Sequence, residues 1–392
     1  MKLSGLVDTL ITDPVVSEAV RDARSDGVTT LDLSAPGPVR PVLLAAIASE
    51  QQGAGRPVLA VTATFREAEE LTEALQCLVE PGTVAYYPAW ETLPHERLSP
   101  RSDTVGRRLA VLRRLAHPDP SDETTGPIKI LVAPVRSVLQ PQVAGLADLK
   151  PVQLHIGDTV ELEEVVEALA GAAYHRVDLV ERRGEFAVRG GIIDVFPPTE
   201  EHPLRVDFFG DDVEEIRSFS VADQRTLEKQ ERLWAPPCRE LLLTDEVRVR
   251  ARELGSRHPE LREITDKLAE GVAVEGMESL APVLVDDMEL LVDLLPADSL
   301  SSISASSGWR VARSAARART ASVSSSSRQA GAHSRSTSAM VRWSATAKVR
   351  TSSTSSPQNS TRTGCSSVGG KTSRMPPRTA NSPRLVTRST RL

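Results

Sequence analysis

The chain has 392 residues, of which 40% are hydrophobic and 26% charged, a composition typical of a soluble protein of two or three domains. Its three cysteines, Cys77, Cys238 and Cys365, are too few and too far apart for a disulfide framework or a paired-cysteine metal site. No apolar run reaches the roughly 20 residues of a membrane span, and the first residues lack the features of a signal peptide. We therefore expect a cytoplasmic protein with no membrane partner.

The formal net charge of −6 conceals an uneven distribution along the chain. Residues 1–298 carry 31 Lys and Arg against 53 Asp and Glu, a net charge of −22, whereas residues 299–392 carry 16 basic and no acidic residues. The acidic first part is poorly suited to bind nucleic acid by itself, because it would repel the phosphates.

Residues 1–150 alternate short apolar runs with helical patterns, which predicts an α/β domain with a parallel sheet. The predicted strands are Leu31–Leu33, Val58–Thr62, Thr83–Tyr87 and Ile128–Ala133, and the predicted helices are Pro41–Glu50, Phe65–Leu78 and Thr104–Leu115.

The loop after the first predicted strand bears on whether this domain binds a nucleotide. A phosphate-binding loop needs a glycine-rich backbone and a Lys followed by Ser or Thr. Here the loop that contains Ser34, Gly37 and Arg40 has a proline on each side of Gly37, and no Gly-Lys-Ser/Thr follows it in this domain. Because proline has no backbone N–H to offer a phosphate, we predict a degenerate nucleotide site and no ATP hydrolysis by this chain.

Residues 151–237 differ in character, since six of the nine Phe and Tyr residues of the chain lie between positions 174 and 219. Aromatic side chains favour strands, where they pack well on a half-buried surface. The run LRVDFFG at 204–210 alternates apolar and polar residues, as expected of a strand with one buried face. We predict a helix at Glu161–Ala170 followed by a small antiparallel sheet.

A hairpin predicted over residues 174–190 carries the main candidate surface. Arg176 and Arg189 lie on either side of its turn, so both would reach one exposed surface with Phe186 nearby. Arginine next to an aromatic residue is typical of interface hot spots. The residues also fit a plain surface with ion pairs worth about 0–1 kcal/mol each, for which the acidic candidates are Asp178, Glu181 and Asp207.

Residues 238–298 return to helical periodicity and predict a second, shortened part of the α/β domain. VLVDD at 283–287 resembles the acidic motif that holds magnesium in ATPases. Without a phosphate loop we interpret it as a short apolar segment that ends in solvated acids. No catalytic or metal site is predicted anywhere in the chain. If the sheet lacks strands beyond residue 298, we expect partial order over 238–298.

Residues 299–392 contain 26 Ser and only ten Leu, Ile or Val. An aliphatic content of about 11% is below the roughly 20% under which chains stay disordered, so we predict a disordered tail. The abrupt change of composition is best explained by a shifted reading frame in the gene. The alternative is a genuine basic arm that binds nucleic acid by neutralising phosphates.

Three long runs carry a resemblance to a known family: YYPAWETLPHERLSPRSDTVGRRLAVLRRL (86–115), YHRVDLVERRGEFAVRGGIIDVFPPTEEHPLRVDFFGDDVEEIRSF (174–219) and VADQRTLEK (221–229). They resemble the N-terminal region of bacterial transcription-repair coupling factor, which is itself similar to the excision-repair protein UvrB. The likeness covers about residues 1–298.

The resemblance implies a UvrB-like degenerate helicase domain of the P-loop NTPase type in two pieces, 1–150 and 238–298, with an inserted antiparallel β-rich domain at 151–237 that binds UvrA. In UvrB the UvrA-binding surface includes arginines in an R-x-D…F-x-V-R-G arrangement. The matching positions of this chain are Arg176, Asp178, Phe186, Val188, Arg189 and Gly190, with Arg205 and Asp207 on a neighbouring strand.

The family continues into an RNA-polymerase-interaction domain and a double-stranded-DNA translocase that uses ATP and magnesium, and neither is found in these 392 residues. The resemblance therefore implies that this chain brings UvrA to lesions where RNA polymerase has stalled and needs no cofactor of its own. Two alternatives stay open: an active excision-repair helicase subunit of the UvrB type, and a nucleic-acid-binding protein that acts through the basic tail.

Overall fold

The computed structural model of the chain describes residues 3–25, 30–49, 57–80, 82–93, 96–120, 126–296, 299–305, 308–313 and 387–391, all within one structural unit. Its helices are α1 (Ser4–Ile11), α2 (Pro14–Arg24), α3 (Arg40–Ser49), α4 (Phe65–Gln76), α5 (Ser102–Ala116), α6 (Val135–Leu139), α7 (Leu162–Gly171), α8 (Asp245–Arg257), α9 (Arg262–Ala269), α10 (Ala281–Leu284) and α11 (Leu291–Leu294). Its strands are β1 (Thr30–Ser34), β2 (Val58–Thr62), β3 (Val84–Tyr86), β4 (Ile130–Pro134), β5 (Gln142–Val143), β6 (Val152–His155), β7 (His175–Arg176), β8 (Glu185–Arg189), β9 (Ile192–Val195), β10 (Leu204–Phe209), β11 (Asp212–Phe219), β12 (Thr226–Gln230), β13 (Arg232–Ala235), β14 (Met288–Glu289), β15 (Leu300–Ala305), β16 (Gly308–Arg313) and β17 (Thr387–Arg391).

A seven-stranded sheet with the order β17-β1-β16-β15-β2-β4-β3 forms the centre of the α/β part. Strands β15, β2, β4 and β3 run parallel, and β16 is antiparallel to both of its neighbours. The run VLAVT of β2 is apolar almost throughout because helices cover both faces of a parallel sheet. The strands and helices predicted for residues 1–150 are all present, with small shifts at their ends.

Two cores lie on opposite faces of this sheet because successive strand residues point to opposite sides. Val58 and Ala60 pack in a core with helices α1 to α4, whereas Leu59 and Leu131 pack in a second core with α5, α6 and α11. Helices α1 and α2 were absent from the prediction. Helix α2 begins after Asp13, whose carboxylate accepts hydrogen bonds from the backbone N–H groups of Val15 and Val16 and so caps the helix.

The inserted domain is built on a six-stranded sheet with the order β12-β11-β10-β9-β8-β7. The pairs from β8 to β12 are antiparallel, which confirms the predicted antiparallel sheet, and α7 confirms the predicted helix. Strands β6 and β13 pair with each other where the chain enters and leaves the domain. A core between the sheet, α7 and this strand pair includes Phe186, Val206 and Ile216.

Residues 238–296 are more ordered than the sequence led us to expect. Helices α8, α9 and α10 enclose a core of their own that includes Val247, Leu268 and Leu284. Strand β14 pairs with β5 of the first segment, and α11 packs in the core on one face of the large sheet. The expectation of partial order over this segment is therefore corrected.

The disordered tail predicted for residues 299–392 is wrong for residues 300–305, 308–313 and 387–391, which are strands of the large sheet. Strand β15 lies parallel to β2, with Leu300 opposite Val58. Average composition misjudged these segments because a strand is held by backbone hydrogen bonds and needs only a few apolar side chains, such as Leu300 and Val311. Residues 314–386 lie outside the described residues, and the reading-frame hypothesis stays a prediction.

Candidate partner-binding surface

The six-stranded sheet has one face on the core and one face turned away from it, which we call the outer face. On β8 and β10 the core face carries Phe186 and Val206, and the outer face carries Arg189, Arg205 and Asp207. The register places Arg189 opposite Ile192, and Ile192 opposite Asp207. These three residues therefore form one row across strands β8, β9 and β10.

A ladder of ion pairs crosses the outer face. Asp194, only 2% exposed, accepts two hydrogen bonds from the Arg205 guanidinium at 2.6 and 2.8 Å. On the next strands Arg217 lies 2.7 Å from Asp207 and 3.1 Å from Glu215. The last rung joins Glu215 to Lys229 of the edge strand at 2.8 Å. The ladder contains three acidic and three basic side chains. It therefore restrains the side chains of the outer face and adds no net charge to it.

The hydrogen bonds of the ladder also shift the protonation equilibria of its members. The bond to Asp194 raises the pKa of Arg205 above its ordinary value, although partial burial acts in the opposite direction. The hydrogen bond from Lys229 lowers the pKa of Glu215 below its ordinary value. Both shifts favour the charged forms of Arg205 and Glu215.

Arg205 and Asp207, two predicted site residues, are thus engaged within the protein. The Arg205 guanidinium also lies 4.6 Å from the centroid of the buried Phe219 ring. Because their charges are neutralised by Asp194 and Arg217, these two side chains shape the surface more than they offer it free charge.

Arg189 is exposed at the end of β8, and it is held in place by the preceding loop. Its guanidinium donates a hydrogen bond of 2.9 Å to the backbone carbonyl of Asp178, whose side chain is also exposed. This bond uses one of the five guanidinium N–H donors and limits the freedom of the side chain. Arg189 and Asp178, two residues of the predicted pattern, therefore lie close together.

Arg176 is also exposed, but the predicted hairpin that would bring it beside Arg189 is wrong. Strand β7 runs parallel to β8, with Arg176 opposite Phe186 rather than antiparallel to it across a turn. Residues directly opposite each other share a face of the sheet, so Arg176 leaves the edge strand on the core side and Arg189 on the outer side. The two arginines lie near the same edge of the sheet but do not share a face.

Phe186 is not on the surface, which corrects its prediction as a partner-binding residue. Its side chain is 1% exposed and packs in the domain core. The reason is the alternation along β8, which points Arg189 outward and Phe186 inward. Val188 lies on the core side as well, partly buried, and Gly190 with a φ of 61° begins the turn to β9.

The exposed aromatic residue that sequence reasoning missed is Phe209. Its side chain is 77% exposed at the end of β10, on the outer face. The signal was present in the run LRVDFFG, because two consecutive phenylalanines in one strand cannot both point to the core. Phe208 packs against the core as predicted, so Phe209 points outward.

A buried polar cluster joins the two pieces of the α/β part that lie on either side of the inserted domain. Arg108 of α5 and Glu240, which follows the insert, are both almost wholly inaccessible and form an ion pair. Trp90 donates its indole N–H to Glu240 at 3.0 Å, and Arg108 donates to the carbonyl of Pro88 at 2.9 Å and to Gln142 at 3.2 Å. Burial opposes the charge of Arg108, but the Glu240 carboxylate keeps the pKa of Arg108 raised.

The loop after β1 shows where the predicted nucleotide site would lie. Gly37 begins a short 3₁₀ helix that runs to Val39, and α3 starts at Arg40. The N–H of Val39 donates to the carbonyl of Pro36 at 3.0 Å, and the N–H of Arg40 donates to the carbonyl of Gly37. Two backbone N–H groups of the loop are therefore engaged within it, whereas a phosphate-binding loop directs its N–H groups outward.

The acidic motif at 283–287 is engaged with other segments of the chain. Its first residues belong to α10, Asp286 pairs with Arg250 of α8, and the backbone carbonyl of Asp287 accepts a hydrogen bond from Ala144 at 3.1 Å. No group of three or more His, Cys, Asp or Glu side chains is placed to share a metal ion in the described part of the chain. None of the helices described there combines the length and apolar composition of a membrane span.

In comparison with known proteins, the inserted domain matches a described family. Residues 152–240 match the UvrB interaction domain family. The chain is also 48% identical over 308 residues to transcription-repair-coupling factor of Mycobacterium tuberculosis, a match that covers 75% of this chain and 24% of that protein. The predicted resemblance to the N-terminal region of transcription-repair-coupling factor is confirmed.

More distant coupling factors match in the same way. The Bacillus subtilis protein is 33% identical over 220 residues, covering 55% of this chain and 18% of that protein. The Escherichia coli protein is 28% identical over 266 residues, covering 66% of this chain and 22% of that protein. The chain thus spans no more than a quarter of the length of these coupling factors.

Proposed function

We propose that this chain recruits UvrA through its inserted domain, as the N-terminal portion of a transcription-repair-coupling factor that acts where RNA polymerase has stalled. The observation that carries the proposal is the match of residues 152–240 to the UvrB interaction domain. The outer face supports it, since it displays Arg189 on a rigid sheet.

The chemistry of Arg189 suits a protein partner with carboxylates. A guanidinium is weakly hydrated and can form two parallel hydrogen bonds with one carboxylate. Because the Asp178 carbonyl already restrains Arg189, less side-chain entropy is lost when a partner binds. Arg176 lies on β7, the edge strand of the sheet. It offers a second exposed guanidinium to a partner that covers this edge.

We propose further that the chain is catalytically silent and binds no cofactor. In this proposal ATP and magnesium serve the translocase region of the family, and RNA polymerase and double-stranded DNA are partners of regions outside these residues. The engaged backbone donors of the loop at 36–40 support this part of the proposal. We place the action of the chain in the cytoplasm, where transcription and excision repair take place in bacteria.

The test is capture of purified UvrA by the full chain with Arg176→Ala and Arg189→Ala, singly and together. Removing one member of a buried interfacial charge pair costs about 2–5 kcal/mol, so the double variant should bind at least about tenfold more weakly. The matched control is Arg225→Ala in the turn between β11 and β12, where the side chain is 83% exposed and pairs only with Asp223 among the ion pairs found.

The result that would overturn the proposal is UvrA capture by the double variant that equals that of the unaltered chain. Thermal unfolding should be measured on all variants in parallel. Since both arginines are exposed, the thermal midpoints of the variants should equal that of the unaltered chain. A loss of UvrA capture then results from the altered surface and not from unfolding.

A further inference from the structure

Phe209 is the one phenylalanine of the inserted domain whose side chain is largely exposed, and every residue of that domain is described. Phe186, Phe196 and Phe219 are at most 5% exposed, and Phe208 is packed against the core. A large aromatic side chain held in water at 77% exposure contributes nothing to the core. A single exposed apolar side chain is ordinary on a protein surface, so it is the neighbours of Phe209 on the outer face that point to a contact.

The backbone beneath Phe209 is held rigidly. The N–H of Phe208 donates to the carbonyl of Gly191 at 2.8 Å, so the end of β10 lies directly against the turn that follows Arg189. A Cβ atom at Gly191 would come within 3.0 Å of the Phe208 carbonyl oxygen, which shows how closely the two backbones approach. Gly210, with a φ of 63°, turns the chain immediately after Phe209. The ring is therefore displayed from a fixed platform.

Phe209 lies on the outer face next to the row that includes Arg189. Arg189, Ile192 and Asp207 lie opposite one another across three strands. Phe209 is two residues beyond Asp207 on the same side of β10, and Ile192 is half-buried between Asp207 and Arg189. The outer face thus combines an exposed aromatic ring, an aliphatic side chain and an exposed guanidinium, which is the composition of an interface hot spot.

We propose that Phe209 is the apolar anchor of the UvrA-binding surface, a proposal that rests on the function proposed above. In the complex its ring fills an apolar pocket on UvrA while Arg189 pairs with an acidic group at the rim of that pocket. The aromatic position that the sequence pattern assigned to Phe186 is thereby filled by Phe209, because Phe186 is in the core.

The charges around Phe209 favour a protein over a nucleic acid or an anionic membrane. Asp211 and Asp212 are exposed in the turn beside it, and Glu214 is exposed two residues later. These carboxylates would repel a phosphate backbone or an anionic lipid headgroup. The partner pocket should therefore carry basic groups on the side of this turn and acidic groups on the side of Arg189.

The experiment compares Phe209→Ala, Phe209→Leu and Phe65→Ala in the full chain, with UvrA affinity measured by titration. Phe65 is the matched control, because it is the same residue type at 67% exposure but lies on α4 of the α/β part. We expect Phe209→Ala to bind UvrA at least about tenfold more weakly, Phe209→Leu to keep part of the affinity, and Phe65→Ala to bind normally. Thermal midpoints should be equal for all three.

Three outcomes would overturn the inference in distinguishable ways. If Phe209→Ala binds UvrA normally while Arg189→Ala binds weakly, the anchor is refuted and the proposed function stands. If the unaltered chain does not bind UvrA, both proposals are refuted. If Phe209→Ala loses binding to a single-stranded oligonucleotide and keeps its affinity for UvrA, the ring stacks on bases and the assignment to a protein pocket is wrong.

Discussion

The loop after β1 and the outer face of the inserted sheet differ in whether their functional groups are bonded within the chain or exposed. In the loop, two prolines remove backbone donors and the N–H groups of Val39 and Arg40 bond to carbonyls of the same turn. On the outer face the ion-pair ladder satisfies most charges, yet Arg189 and Phe209 remain exposed at its end. The outer face therefore offers exposed groups to a partner, whereas the loop bonds two of its N–H groups to its own carbonyls.

Outside both regions, the cluster around Arg108 and Glu240 joins the two pieces of the α/β part. This cluster buries a full charge pair, so its geometry must be nearly ideal to offset the loss of hydration. Trp90 and Gln142 supply the remaining hydrogen bonds. Because Arg108 belongs to the first piece and Glu240 to the second, the cluster holds the α/β part together across the insertion.

Breaking this connection should have the largest effect on stability. Glu240→Ala leaves Arg108 buried without its carboxylate, and such a loss typically costs about 3–5 kcal/mol. Urea unfolding of the full chain measures it. Glu70→Ala, which breaks the exposed pair with Arg66, is the control and should leave the midpoint unchanged. Equal midpoints for the two variants would mean that the buried cluster does not hold the two pieces of the α/β part together.

The ladder of the outer face should show the next largest effect. Asp194→Ala removes the carboxylate that accepts two hydrogen bonds from Arg205, and hydrogen bonds to charged groups are worth about 1.5–3 kcal/mol. We expect a loss of that size in unfolding free energy together with weaker UvrA binding, since the frame of the surface loosens. Asp194→Asn should lose less unfolding free energy and less affinity for UvrA. If Asp194→Ala has the same free energy of unfolding as the unaltered chain, the ladder does not stabilise the fold.

A smaller effect should follow from Gly191→Ala at the platform of Phe209. The new methyl group would press on the Phe208 carbonyl oxygen at 3.0 Å, and overpacking of this kind costs about 1–3 kcal/mol. Gly5→Ala, whose Cβ would meet no atom within 4 Å, is the control. If Gly191→Ala alters neither the thermal midpoint nor UvrA affinity, the close approach of the two strands is not what displays Phe209.

Strand β15 offers a stabilising change of about 1 kcal/mol. The Ser302 hydroxyl is buried and has no hydrogen-bond partner among the described residues. Because an unsatisfied buried hydroxyl is costly, Ser302→Ala should raise the unfolding free energy by about 1 kcal/mol. A loss of stability in this variant, measured by urea unfolding, would show that β15 is not packed against β2 as the structure has it.

Nucleotide should have no effect at all. Millimolar MgATP stabilises a protein that binds it in the folded state, by an amount that grows with the ratio of ligand concentration to Kd. We expect the thermal midpoint of the full chain to be the same with and without MgATP. A reproducible rise would break the contrast between the two regions and favour an active helicase subunit.

The sequence by itself determined the elements whose patterns are local. The apolar runs of β2 and β4 and the alternation of β10 predicted their strands, and the prolines around Gly37 predicted a loop that is poor in backbone donors. The family pattern located Arg176, Asp178 and Arg189, and all three are exposed. These features follow from periodicity and backbone chemistry within a few residues, which a sequence shows directly.

Only the tertiary structure decided what depends on pairing between distant segments. The parallel register of β7 and β8 places Arg176 and Arg189 on different faces, and the alternation of β8 buries Phe186 while β10 exposes Phe209. Strand β15 belongs to the sheet in spite of its serine-rich composition, because β2 provides a partner for its backbone. Pairing of this kind depends on which segments meet in space, and neither composition nor local periodicity contains that information.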